Sequence, residues 1–156
     1  MSNIEKIVAD YETCKKAWEI GLKLWDIEGN FNTVFAWWQC LHDYETNIAM
    51  QSEWDSEVKL FYHKMYPAPI AEEVPLPDYF RDDINVSVTC DRNYYYVIYT
   101  KDNKKKKHQL DRFKLGLYAK FNEATARLKI AIWLIENVPE ARAWYVKNNY
   151  IIEEEK

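Results

Sequence analysis

Glycine is scarce in this chain, with 3 in 156 residues against a usual level of about 7%. Phosphate loops need glycine where backbone approaches a ligand closely, and neither GxGxxG nor GxxxxGKS/T occurs. Rossmann-type and P-loop nucleotide binding are therefore excluded. Cysteine is also sparse. Cys14, Cys40 and Cys90 are odd in number and widely spaced, and there is no CxxC. Neither a disulfide framework nor a zinc knuckle is legible, and Cys40-Leu41-His42 lacks the second ligand pair that a structural zinc needs. No apolar run approaches 18 residues, so no membrane span is expected. The first ten residues carry no basic segment followed by an apolar one, so no secretory leader is expected. These features together point to a cytoplasmic protein with reduced, partly buried thiols. Positive charge is not in excess either. Lys plus Arg is 21 against 25 Asp plus Glu, a net of −4, with a pI near 5.5. A general nucleic-acid binder needs a dominant basic face, which this balance does not supply. The charge is equally too mild for a mimic of DNA.

What the chain does hold is aromatic: 7 Trp, 12 Tyr and 6 Phe, or 16% of residues. Hydrophobic content of 48% offsets the entropy of ordering, so the chain folds. Its length suits a single domain over 1–156. Lys104 to Lys107 read as a solvated loop, and Glu153 to Glu155 as a frayed acidic tail.

Periodicity divides the chain into elements. Ser2 and Glu5 make a capping box. Ile4, Ile7, Val8, Tyr11, Cys14 and Trp18 then recur at three and four, predicting one N-terminal helix that Gly21 ends. Phe31 to Cys40 is aromatic and β-branched, so a strand is expected, with Asn47 to Trp54 as its hairpin partner or a loop. Val58, Leu60 and Tyr62 alternate with polar neighbours, which predicts a half-buried strand over Glu57 to Tyr62. A proline-rich crossing opens at Tyr66-Pro67 and closes at Pro75-Leu76-Pro77, with room for a turn or two of helix between them. Ile84 to Cys90 alternates strictly and Tyr94 to Thr100 follows a polar turn, which predicts a hairpin. The lysine block turns the chain again, and Leu110 to Phe121 suits a third strand. Asn122 caps a long helix whose stripe of Ala124, Leu128, Ala131, Ile132 and Ile135 is widened by Ile130, Trp133 and Leu134. Pro139 starts a short helix through about Lys147, and Tyr150 to Ile152 is a last strand or a loose end. The expected fold is α+β: an antiparallel sheet of four to six strands, an N-terminal helix and a long C-terminal helix packed on the sheet.

Three segments resemble a group of small, largely uncharacterised phage and prophage proteins. Cys14 to Leu22 is similar to their A-K-x-L-K-E-L-G-F opening. Pro67 to Val74 with Leu76-Pro77 is similar to P-A-P-T-L-A-E-L followed by L-P. Glu123-Ala124 and Ala131 to Asn137 are similar to E-A-L and L-I-W-L-I-E-N. The matches keep their order, while Pro75 shortens the middle helix and the chain runs on past Asn137. The resemblance implies a phage or mobile-element accessory protein, and it transfers no catalytic residue.

Catalytic signatures are missing. Histidine is limited to His42, His63 and His108, and no GxSxG, HExxH or paired HxT/HxS motif occurs. The expectation is therefore a protein without cofactor, metal or catalysis. The aromatic strands offer more. Tyr94, Tyr95, Tyr96 and Tyr99 straddle both faces of one strand, and Trp37 and Trp38 point to opposite faces of another. They serve as core, as anchors of a protein interface, or as a stacking platform with nearby cations for a nucleotide. The candidate binding set is Trp37, Trp38, Arg92, Tyr94, Tyr96, Tyr99, Lys104 and Lys106. With the phage resemblance, the reading is sequestration of a small nucleotide immune signal or of a host defence protein. The wide C-terminal helix suggests a homo-oligomer. The alternatives are a phosphodiesterase-like enzyme acting on such a nucleotide, and a phage protein that binds only protein.

Overall fold

The computed structural model describes residues 4–24, 33–40, 46–50, 62–91, 94–109 and 122–151. Its helices and two antiparallel three-stranded sheets make an α+β fold, with helices towards both ends of the chain.

The N-terminal helix is broken in two. Ile4–Lys6 form a single 3₁₀ turn and helix α1 covers Tyr11–Glu19. Asp10 is the reason. It is extended, and its carboxylate accepts from the Thr13 amide at 2.8 Å, a side-chain N-cap. Ahead of it, Val8 pairs with Ile70, and the Ala9 amide donates to the Pro69 carbonyl at 3.0 Å. The helical period persists through Val8, but pairing to a distant segment has taken that backbone. Ser2 of the expected capping box lies outside the described residues. Gly21 does follow the helix at φ 96°, the left-handed conformation that glycine adopts without a Cβ clash.

Strands β1 (Phe35–Cys40), β2 (Thr46–Met50) and β3 (Tyr62–Ala68) form the first sheet, in the order β2-β1-β3. Trp38 faces Asn47 across the expected hairpin. Phe31, Trp54 and most of the strand expected over 57–62 lie outside the described residues. Tyr66 and Pro67, expected to open the crossing, instead end β3. Among the described strands β3 lies at an edge of its sheet, where proline is tolerated. The 3₁₀ turn Ala71–Glu73 fills the short helical space before Pro75. A one-turn helix not expected from sequence, α2 (Tyr79–Asp82), follows Asp78.

The second sheet is β4 (Val86–Asp91), β5 (Tyr94–Lys101) and β6 (Lys104–Gln109), in that order. The β4–β5 hairpin is as expected. The lysine block is not a loop. It is β6, with Lys101 opposite Lys104 and Tyr99 opposite Lys106. Asp102 and Asn103 alone make the turn, at φ 55° and 62°, the two positive values of a tight hairpin. Lysines suit an outer strand because their charge blocks further pairing. Leu110 to Phe121, expected as the third strand, lies outside the described residues.

Helices α3 (Glu123–Asn137) and α4 (Pro139–Lys147) complete the fold. The breadth of the apolar stripe on α3 is used within the chain: α1, α4, β5 and the Ala71–Glu73 turn all pack on it. On α4, Trp144 and Tyr145 are buried while Ala143 is exposed. Ile151 pairs with Leu22 in an isolated bridge. Asn122 does more than cap α3. Its Oδ1 accepts from the Thr125 amide at 2.8 Å, and its Nδ2 donates to the Val8 carbonyl at 2.7 Å. Replacing Asn122→Ala should therefore cost about 2–4 kcal/mol, a cap plus a stranded buried carbonyl. Asn137→Ala, whose exposed side chain only donates to Trp133 O, should cost under about 0.5 kcal/mol. Urea denaturation of the two variants checks the contrast.

Candidate functional site

The expected binding residues do not converge. Trp37 and Trp38 belong to the first sheet and are 7% and 4% exposed. The Trp37 indole donates to the Ala9 carbonyl at 2.8 Å and meets the Tyr11 ring edge-on at 6.0 Å. It is a core residue with its polar atom satisfied, and neither indole presents a face to a ligand. The adjacent pair did lie on opposite faces, but both faces are covered at β1. Arg92 lies outside the described residues. The remaining five belong to the second sheet, and alternation splits them.

The inner face of that sheet packs on α3. Tyr95 is buried, and its hydroxyl donates to Glu123 Oε1 at 2.8 Å. Burial, with the Glu123 bond adding and Arg127 opposing, holds the Tyr95 phenol up at about 12. Tyr99 meets Trp133 edge-on at 5.3 Å. His108 stacks flat on Trp133, with centroids 3.9 Å apart and planes 4° from parallel. Lys104 and Lys106 share this side by alternation but stand exposed.

The outer face is different. Tyr94, Tyr96 and Ile98 are half-buried, with Lys105 and Lys107 exposed beside them. Lys107 Nζ lies 4.2 Å from the centre of the Tyr96 ring, so the cation is already held against an aromatic face. Of the expected residues, only Tyr94 and Tyr96 belong here.

The feature that sequence reasoning missed is α2. Phe80 is 90% exposed and Tyr79 47% exposed, with their rings edge-on at 5.1 Å. Asp78 Oδ1 accepts from the Phe80 and Arg81 amides at 2.9 Å each, and Asp82 Oδ2 accepts from the Asp78 amide at 2.7 Å. These bonds fix a turn too short to persist on helix propensity. Between this turn and the outer face lies a cleft of about 320 Å³, lined by Tyr79, Phe80, Asn85, Ser87, Ile98, Thr100 and Lys105 among others. A signal was present in the sequence: two adjacent aromatics in Asp78-Tyr79-Phe80-Arg81-Asp82, with a capping aspartate in front.

A second, larger groove of about 700 Å³ runs between α1 and α3, with His108 and Trp133 in its wall. Its rim alternates Glu12, Lys15, Lys16, Glu19, Lys129 and Glu136, and an exposed Lys16–Glu136 pair at 3.4 Å links the helices. Acids and bases are interspersed there rather than separated to two sides, so the groove's charge selects no ligand.

Groups able to do chemistry are dispersed. Among the described residues no three His, Cys, Asp or Glu side chains cluster as metal ligands. His42 lies outside the described residues. Cys14 is buried, its thiol donates to Ala9 O at 3.5 Å, and burial holds its pKa well above the ordinary thiol value. A thiol held protonated is a poor nucleophile. Cys40 is half-buried and Cys90 exposed. No described helix is long and apolar enough to cross a membrane. No protein-family model, curated protein or solved structure matches the chain.

Two outcomes follow from this chemistry. Thiol labelling followed by mass spectrometry should modify Cys90 first and reach Cys14 only on unfolding. Burial depresses the pKa of His108 below its ordinary 6.5, so the unfolded chain binds this proton more readily than the folded one. Stability should fall as pH drops through 6.5, and this contribution to the loss should end below the folded value. Urea midpoints of the parent should therefore drop between pH 7.5 and 5 by more than those of His108→Gln.

Proposed function

We propose that this chain is a non-catalytic binding protein that captures a protein partner on the outer face of its second sheet, with Phe80 as anchor. The observation that carries the reading is the exposure of Phe80 on a turn that its own caps hold rigid. Exposed large aromatics are costly to solubility unless something covers them. Tyr, Phe and Arg on a preorganised element are the composition of an interface hot spot. Arg81 completes that set, its side chain 71% exposed.

The resemblance to phage accessory proteins, which rests on the three sequence segments alone, gives the partner a setting. It is a component of host defence, met in the host cytoplasm and removed by stoichiometric sequestration. A protein partner is favoured over a small nucleotide because the aromatic and cationic residues expected to form a nucleotide pocket are divided between two sheets and two faces. The phosphodiesterase-like alternative has His108 beside the carboxylates of the α1–α3 groove to draw on, but lysines are interspersed with those carboxylates and no second described histidine joins them.

A photo-crosslinking residue at position 80 tests this in cells. It should join the chain to one discrete protein, whereas the same residue at exposed Ala143 should not. Purified Phe80→Ala should lose affinity for that protein by about tenfold or more while its melting midpoint stays at the parent value. Equal capture from both positions, or undiminished affinity in Phe80→Ala, would count against the proposal.

A further inference from the structure

We infer that the cleft between α2 and the outer face of the second sheet takes an extended peptide of mixed charge: one large apolar side chain in the cleft, acidic residues over β6 and a basic residue towards α2. This rests on the protein-capture reading and names the segment that is recognised. The cleft is about 320 Å³, enough for one large side chain and its flanking backbone. Phe80 and Tyr79 wall it and Ile98 contributes apolar surface from the sheet. Asn85, Ser87 and Thr100 also line it, offering an amide and two hydroxyls to a peptide backbone.

Charge selects the occupant. On the sheet side, Lys105 lines the cleft and Lys107 lies over Tyr96. On the other side, α2 and its flanks carry Asp78, Asp82 and Asp83 against the one exposed Arg81; Asp78 and Asp82 hold the capping bonds while Asp83 stands exposed. Glu140 adds a carboxylate there, accepting from the Asn85 amide at 2.8 Å. A nucleic-acid strand is negative along its whole length, so phosphates aligned with the lysines would extend towards these carboxylates. A peptide can vary its charge residue by residue and meet both sides. Because the capping bonds of Asp78 and Asp82 hold α2 before any ligand arrives, little ordering cost remains at the anchor.

Fluorescence anisotropy with the full chain and short labelled synthetic peptides tests this. The first peptide carries a central Phe with Asp and Glu on one side and Lys and Arg on the other. The comparisons replace that Phe by Ser, make both flanks acidic, or make both flanks basic, and a last probe is a thymidine oligonucleotide. The mixed peptide should bind best and weaken as salt rises. Phe80→Ala, or Ser in place of the peptide Phe, should weaken it about tenfold or more. Lys105→Glu with Lys107→Glu should weaken it and invert the preference towards basic flanks. Both substitutions lie on exposed positions, and an unchanged melting midpoint confirms that the fold persists. No binding of the mixed peptide, equal binding of the all-acidic one, preference for the oligonucleotide, or indifference to Phe80→Ala would each overturn the inference. If crosslinking at position 80 still captures a protein while the peptides fail, protein capture stands and the charge pattern is wrong. If crosslinking fails as well, the capture reading fails with it.

Discussion

The carbonyls of Val8 and Ala9 are where the two halves of this fold are tied. The Val8 carbonyl accepts from Asn122 at the head of α3, and the Ala9 carbonyl accepts from the Trp37 indole in the first sheet. The Asp10 amide donates to Thr125 Oγ1 at 3.0 Å while the Asp10 carboxylate caps α1. Two helix N-termini, each with donors that no helix can satisfy internally, are thus capped by residues that also hold each other. All of this is buried or partly buried, where an unmet donor or acceptor costs about 1–3 kcal/mol. The order of the other elements follows from it. α1 is placed between the first sheet and α3, and α3 is left to receive the second sheet on another side.

That second contact is made by the inner face of β5. The Arg127 guanidinium reaches the Tyr95 hydroxyl at 3.4 Å and the Val74 carbonyl at 3.3 Å, so one side chain of α3 joins the sheet to the proline-rich connector. Tyr145 does the same from α4, its hydroxyl donating to Pro75 O at 2.7 Å. Much of the aromatic excess is absorbed in this way. Trp37, Tyr66, Tyr95, Trp144 and Tyr145 are core residues, most of them with a polar atom committed to backbone or a partner side chain. Among the described residues, the aromatics that stay exposed are Tyr79 and Phe80 on α2.

The elements legible in the sequence were those whose pattern is local. The alternation from Ile84 to Cys90 marked a hairpin, and the Asn122 cap with its apolar period marked α3. Three things were not local. Val8 continues the helical period of α1, yet its backbone pairs with Ile70, a choice made by a segment far along the chain. Lys104 to Lys107 contain no apolar residue from which a strand period can be read, and a two-residue turn and the β5 ladder set their conformation. Trp37 and Trp38 alternate as a strand should, but alternation does not reveal that both faces are covered. The binding set mixed residues of two sheets for that reason. Aromatic content marks where burial or binding is needed, and only tertiary structure divides one from the other.

Phe80 illustrates that division from the opposite side. A core aromatic such as Trp37 is held by distant backbone, so replacing it disturbs folding and function together. Phe80 is presented by a turn held by bonds within Asp78 to Asp82 and by the Trp144 side chain, which bonds the Asp82 carboxylate. Nothing in the core depends on its ring, which stays 90% exposed. Neither burial nor the capping by the two aspartates calls for an aromatic at this position. What the turn gains from Phe80 is an apolar surface held rigidly at the mouth of a cleft. Such an arrangement is what the proposed capture of a protein partner calls for.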